Sequence, residues 1–329
     1  LLNNHGIKEV EITFDPHLQR DDQDTYYITR IKATIEKKSE SEDSTYSVIK
    51  EELFNLMHRY TKYIIKNGKD GRNFEQLNKI IHHLLSKESV LEYLLMIRAI
   101  GDSSFHQAIQ VFIVSIAIGI RMKLDAFQLT KLGISALLYD VGKWRIDKRL
   151  LIKSDRLKQE EYDLVKEHTI FGYMMLIENF DEDIASVALQ HHERYDGSGY
   201  PYNLTNDRIN IYARIISLVD VYISLINDRN YRKRYQKHEA IEYIFGSGGY
   251  LFDPEIVSHF VEVVAVFSVG CMVELNDGSV GLVKEIKNNP VGRPVIELLF
   301  DADRNHIKER KYVDLSKELN LYIIQELTV

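Results

Sequence analysis

The chain has 329 residues, enough for about two or three folded units with a sizeable buried core, which excludes a small scaffold stapled by disulfides. Its 42 Lys and Arg against 49 Asp and Glu leave a net charge of −7, which argues against a surface that coats a nucleic-acid polymer. The single cysteine, Cys271, can close no intrachain bridge, as expected of a reducing compartment. No signal-peptide pattern stands out, and the longest apolar run, Ala108 to Ile120, is interrupted by Gln110 and Ser115 and is too short to cross a bilayer. The expectation is a soluble cytoplasmic protein without a membrane span. The chain opens on Leu1 rather than methionine, as a piece of a longer protein would.

Three regions follow one another. Between Ile7 and Ile35 the alternation in Val10-Glu11-Ile12-Thr13-Phe14 and Tyr26-Tyr27-Ile28-Thr29-Arg30-Ile31 predicts short strands, and the polar run Glu36–Thr45 a linker, giving a small β-containing module over 1–45. Over 46–267 the period changes to that of helices. Leu53, Leu56, Met57, Tyr60, Ile64 and then Leu77, Ile80, Ile81, Leu84 recur at three- and four-residue steps, with breaks at Asn67-Gly68 and Ser86-Lys87. Further helices are predicted over about 104–122, 126–139, 158–178, 182–193, 209–226, 236–245 and 254–265, an all-α bundle. From 268 to 329 the runs Cys271–Leu275, Val280–Val283 and Val295–Phe300 predict a small β-rich module of barrel type, with Asn276-Asp277-Gly278 as its hairpin turn. The fold class is therefore mainly α, with a small β-containing module at each end.

Twelve histidines are present, and most have no company that suggests chemistry. His58, His82, His83, His238 and His259 lie on amphipathic runs without regularly spaced carboxylates, and His5, His17 and His306 are equally isolated, so all are read as surface or core-edge imidazoles. The other four differ. His106 follows Asp102 by four residues, so the two share one face of a helix that begins early enough. Asp140 ends an apolar helix and precedes Gly142-Lys143. His168 sits on the next long helix, and His191-His192 close another just before Glu193-Arg194-Tyr195-Asp196-Gly197-Ser198-Gly199-Tyr200-Pro201. Asp220 lies within Ile215-Ile216-Ser217-Leu218-Val219-Asp220-Val221, where burying an unpartnered carboxylate is costly. A cation accounts economically for this set. Consecutive helical residues point about 100° apart, so His191 and His192 are not expected to share one metal, and two ions bridged by Asp140 accommodate both. Mixed N and O donors without thiolate suit iron or manganese, with zinc as a further option.

The run His191 to Pro201 resembles the HHExxDGxGYP signature of the HD-GYP phosphodiesterases, a branch of the HD superfamily of metal-dependent phosphohydrolases. The resemblance continues through His106, Asp140-Val141-Gly142-Lys143, His168 with Gly172, Ala213-Arg214-Ile215-Ile216, Asp220, Asp228-Arg229-Asn230-Tyr231-Arg232 and Phe252-Asp253-Pro254, covering about 103–267. It implies an HD-type helical bundle and hydrolysis of cyclic di-GMP, a bacterial second messenger, to the linear dinucleotide and in some members to GMP. It further implies two or three divalent ions held by His106, Asp140, His168, His191, His192 and Asp220, with Asp102 and Tyr139 as additional ligand positions. Asp140 and Lys143 would be catalytic, and Lys143, Arg229, Arg232 and Tyr200 would contact substrate. Signalling proteins would dock on the Gly199-Tyr200-Pro201 segment. The terminal modules would serve packing and homodimer contacts.

The chain departs from that pattern at three places. Tyr139 stands where the family has the His of its His-Asp pair; a phenol titrates near 10 and is a poor ligand at neutral pH, and an iron(III) phenolate is the less favoured alternative. Ile223 stands where the family has an Asp, and Asp102 where three-metal members have a longer Glu. These changes set a second reading beside the enzyme: a catalytically weak or inactive sensor of cyclic di-GMP, or an interaction module. A nucleotidase-like hydrolase of another phosphate ester ranks third.

Overall fold

The computed structural model describes residues 50–51, 53–55, 79–153, 155–227, 234–264, 270–285 and 293–327. The stretch Leu1–Leu53 separates as a unit of its own, and the strands expected there lie outside the described residues, as does most of the first pair of predicted helices. Arg229 and Arg232 lie outside them as well.

The described helical region contains α1 (Glu88–Ile100), α2 (Asp102–Arg121), α3 (Ala126–Leu138), a 3-10 turn (Val141–Arg145), α4 (Lys148–Leu151), α5 (Gln159–Lys166), α6 (His168–Leu176), α7 (Glu182–Gln190), α8 (Ile211–Ile226), α9 (Lys237–Gly246) and α10 (Pro254–Val263). The fold is mainly helical, as the periodicity predicts. Its centre is α2, apolar on almost every side and therefore buried on almost every side: Ile109, Val111, Phe112, Ile113, Val114, Ile116 and Ile118 are all inaccessible. With 20 residues α2 is longer than the apolar run suggested, long and apolar enough to cross a membrane by those measures alone. Two thirds of its most apolar window is covered by the rest of the chain, which marks the core helix of a bundle.

Helix starts follow the sequence closely. Asp125 accepts hydrogen bonds from the Phe127 and Gln128 amides while the Gln128 side chain returns to the Asp125 amide, a reciprocal cap on α3. Asn210 caps α8 through the Tyr212 amide, and Asp253 caps α10 through Glu255, with Pro254 at the first helical position. Two expectations need correction. Helix α1 falls in a segment the periodicity did not mark, because ESVLEYLLMIRAI is apolar on too many faces to give a clean stripe. The single helix predicted over 158–178 is two, α5 and α6, broken at Glu167, whose amide turns back to Leu164 rather than continuing the regular ladder.

Beyond Gly270 five strands, β1 (Met272–Leu275), β2 (Val280–Glu285), β3 (Val295–Phe300), β4 (His306–Asp314) and β5 (Ile323–Leu327), form an antiparallel sheet of order β4-β3-β2-β1-β5. Gly278, at φ +89°, makes the predicted β1–β2 turn. Among the described residues the outer strands β4 and β5 do not pair with each other. Val273, Leu275, Val283, Ile296, Leu298, Leu315 and Ile323 fill its core.

Candidate metal centre

The site gathers helix ends. Asp140 follows the last residues of α3, His168 opens α6, and His191 and His192 leave α7, while Asp220 projects from the middle of α8. Helix termini leave carbonyls without intrahelical partners, and two histidines use them. Where α5 breaks, the Val165 carbonyl accepts from His168 Nδ1 at 2.6 Å; at the end of α7 the Ala188 carbonyl accepts from His191 Nδ1 at 2.9 Å. A carbonyl can only accept, so each Nδ1 carries the proton. Each Nε2 is then a bare lone pair.

These lone pairs face each other. His168 Nε2 and His191 Nε2 lie 3.3 Å apart, and Asp140 Oδ1 lies 3.4 Å from the first and 3.8 Å from the second. Asp140 Oδ1 is buried and has no hydrogen-bond partner. His192 completes the group, one ligand atom from each of the three imidazoles falling within 4.8 Å of the others. Burial pushes His168 down to about 3, and it also lowers His191 and His192, so all three rings are neutral at pH 7. Burial alone would raise Asp140, but the Lys143 ammonium, 2.5 Å from Oδ2, outweighs it with help from His168 and His191, and the carboxyl sits at about 2. With both imidazoles neutral, Lys143 is the standing positive charge beside it. Two imidazole lone pairs and a carboxylate oxygen thus converge with no proton among their facing atoms, with His192 beside them, and a cation satisfies the group.

Close backbone packing makes this geometry. A Cβ on Gly142 would stand 2.0 Å from the His168 carbonyl oxygen and 2.4 Å from the Gly172 amide, so only glycine lets the Asp140 turn reach α6. A Cβ on Gly199 would meet the backbone of His192, Glu193 and Arg194 at 2.4–2.5 Å. The loop that Gly199 closes is held by Glu193, a buried carboxylate accepting from the Tyr202 amide at 2.7 Å and the Leu204 amide at 3.1 Å. It brings the Tyr200 ring, half-buried, into a stack with His192 at 4.7 Å between centroids. Lys166 Nζ lies 4.7 Å over Tyr162 and 5.6 Å over Tyr200.

Other predicted site residues sit differently. His191 and His192 are neighbours in space, with ring centroids 4.1 Å apart. Asp140 spends Oδ2 on Lys143, leaving one oxygen rather than two toward the imidazoles. Asp102 and His106 start α2 on an exposed turn and do not join the cluster. Tyr139 is fully buried, and its hydroxyl donates to Asp220 Oδ1 at 2.6 Å. Burial first, then the carboxylates of Asp220 and Asp140, push the phenol well above its ordinary value, so it keeps its proton. Ile223 is a core residue, inaccessible to solvent. Sequence reasoning missed Gln107, whose amide donates to Asp220 at 2.6 Å, and the anchoring role of Glu193. A polar residue heading the apolar α2 run was the available signal for the first.

Residues 96–256 match the HD domain family, and residues 272–329 match the KOW domain associated with HD domain. Residues 96–256 thus carry an HD domain. Among curated relatives, the cyclic di-GMP phosphodiesterase PA4108 of Pseudomonas aeruginosa is 29% identical over 243 residues, 73% of this chain and 58% of that protein. The cyclic di-GMP phosphodiesterase response regulator RpfG of Xanthomonas campestris pv. campestris is 38% identical over 127 residues, 38% of this chain and 34% of that one. A cyclic di-GMP phosphodiesterase of Thermotoga maritima is 33% identical over 178 residues, 53% and 48% of the two chains. The chain spans about half the length of the curated relatives it matches.

Proposed function

We propose that this chain is a metal-dependent phosphodiesterase acting on cyclic di-GMP, with the linear dinucleotide as first product. One observation carries the reading: Asp140 Oδ1 is buried without a hydrogen-bond partner against two imidazole nitrogens that carry lone pairs. His168, His191, His192 and Asp140 would hold the cation, and their N and O donors fit iron or manganese. When bound, such an ion supplies Lewis acidity that polarises a phosphoryl oxygen and acidifies water.

The chain's own groups have separate tasks. Lys143 has three N–H donors and spends one on Asp140, leaving two for phosphoryl oxygens as charge builds there; its side chain is 26% exposed and reachable from solvent. Tyr200, stacked on His192 and fixed by the loop that Glu193 anchors, offers a ring face beside the centre for a purine base. Arg229 and Arg232 remain the proposed phosphate clamp. Product chromatography on cyclic di-GMP with the manganese- or iron-loaded protein tests the reading. Turnover abolished by Asp140→Asn and reduced by Lys143→Met supports it.

The hydrogen bond from Tyr139 to Asp220 favours a second reading, a slow or inactive binder of the same ligand, because it engages a carboxylate that the family resemblance makes a metal ligand. Saturable binding of cyclic di-GMP without product from the metal-loaded protein would select it.

A further inference from the structure

Asp220 and Asp140 live in opposite surroundings. Asp140 Oδ1 faces lone pairs and has no donor. Asp220 Oδ1 accepts two hydrogen bonds of 2.6 Å, from the Tyr139 hydroxyl and from Gln107 Nε2. A carboxylate oxygen has about two lone-pair directions, so two short hydrogen bonds occupy both on Oδ1, the oxygen turned toward Tyr139. Gln107 Nε2 also lies 3.3 Å from Ser224 Oγ, one helical turn beyond Asp220 on α8, and 3.4 Å from the Tyr139 oxygen, so the donors brace one another. Tyr139 cannot readily swing aside. Its side chain is 1% exposed, and its ring stands edge-on to His191 at 4.9 Å. His106, which the resemblance puts in the same ligand set, is exposed and outside the cluster.

We propose that this chain builds one ion site rather than two: His168, His191, His192 and Asp140 hold the ion, while Tyr139, Gln107 and Ser224 tie Asp220 Oδ1 into a hydrogen-bonded strut that takes it from the second position. This rests on the metal reading above and adds Gln107 and Ser224 as positioning residues. The strut does structural work that an ion would otherwise do, linking α2, the end of α3 and α8 through protons instead of a metal.

The test is metal stoichiometry. The 329-residue chain stripped with chelator is dialysed to equilibrium against Mn2+ and measured by elemental analysis, with circular dichroism reporting the fold. The parent is expected to hold one ion, and Asp220→Asn, which keeps an acceptor for Tyr139, to bind it within about threefold of the parent. Asp140→Asn and His168→Ala should weaken it by about tenfold or more, the loss typical of damage to a metal's ligand shell. Tyr139→His should raise the count to two. Two tightly held ions in the parent, an Asp220→Asn loss as large as that of Asp140→Asn, or a folded Tyr139→His variant that stays at one ion would overturn the proposal. A Tyr139→His variant that fails to fold leaves the decision with Asp220→Asn. No ion in the parent would instead remove the metal reading itself.

Discussion

Replacing Glu193 with alanine removes the acceptor of two partly buried backbone N–H groups, those of Tyr202 and Leu204, at 2.7 and 3.1 Å. A hydrogen bond to a charged group contributes about 1.5–3 kcal/mol, and a donor left buried without a partner costs about 1–3 kcal/mol. The loop ends near solvent, where Tyr202 is exposed and water can reach part of the vacated space, so the lower half of the sum applies. About 3 kcal/mol is expected for local opening of the 193–204 loop. At about 1.4 kcal/mol per factor of ten, that speeds amide exchange at Tyr202 and Leu204 on the order of a hundredfold, with α2 and α8 nearly unchanged. Glu193→Gln keeps one acceptor oxygen but turns an NH2 group toward the other N–H, and should cost about half as much. Hydrogen exchange resolved to these amides is the assay. Exchange within about twofold of the parent in the alanine variant would mean that Glu193 does not hold the loop, and the placement of Tyr200 against His192 would need another cause.

Gly142→Ala forces a Cβ into the His168 carbonyl and the Gly172 amide, both backbone and unable to rotate away; a loss of about 3 kcal/mol or more in denaturant unfolding is expected, with weaker Mn2+ binding even where the fold survives. The metal-stripped protein should lose stability below pH 6.5. The folded state holds His168 at about 3 while the unfolded chain binds its proton near 6.5, so its contribution is full above pH 6.5 and falls by about 1.4 kcal/mol per pH unit down toward pH 3, with His191 and His192 acting in the same direction. Asp140, at about 2 when folded, adds a loss only below its unfolded value near 3.8, and a urea midpoint that is flat from pH 7 to 5 would contradict the neutral-imidazole assignment.

Much of the centre was legible because its chemistry is local. The run His191 to Pro201 puts two imidazoles, the loop anchor Glu193, the close-approach Gly199 and Tyr200 within eleven consecutive residues, and the loop they build is internally hydrogen-bonded. Caps such as Asp125 with Gln128 and Asp253 with Pro254 announce their helices in the same way. What the sequence hid is long-range or depends on where a helix stops. Tyr139 meets Asp220 across 81 positions and Gln107 meets it across 113, and no spacing rule encodes either pairing. The apolar pattern runs without a pause through Glu167, so the break that frees the Val165 carbonyl for His168 is invisible to periodicity.

Charge in the inner site gives the last prediction. Asp140 and Asp220 are formally negative, Lys143 is positive, and the imidazoles are neutral, so the metal-free centre carries one net negative charge. One divalent ion turns this into one net positive charge, which complements a phosphodiester's single negative charge; two ions would give three positive charges. In a one-ion centre Lys143 is therefore one of three positive charges, and without it the net charge falls from one positive to zero. Lys143→Met should act in opposite directions on the two ligands. Asp140 Oδ2 loses its ammonium partner and becomes a freer donor, so Mn2+ binds as tightly as in the parent or tighter. Cyclic di-GMP loses a charged contact of about 1.5–3 kcal/mol, so its binding to the Mn2+-loaded protein weakens about tenfold to a hundredfold. Calorimetric titration of the two ligands in turn separates these effects. If the variant loses the ion together with the dinucleotide, Lys143 serves to position Asp140 rather than to meet phosphate, and the division of charge argued from this geometry is wrong.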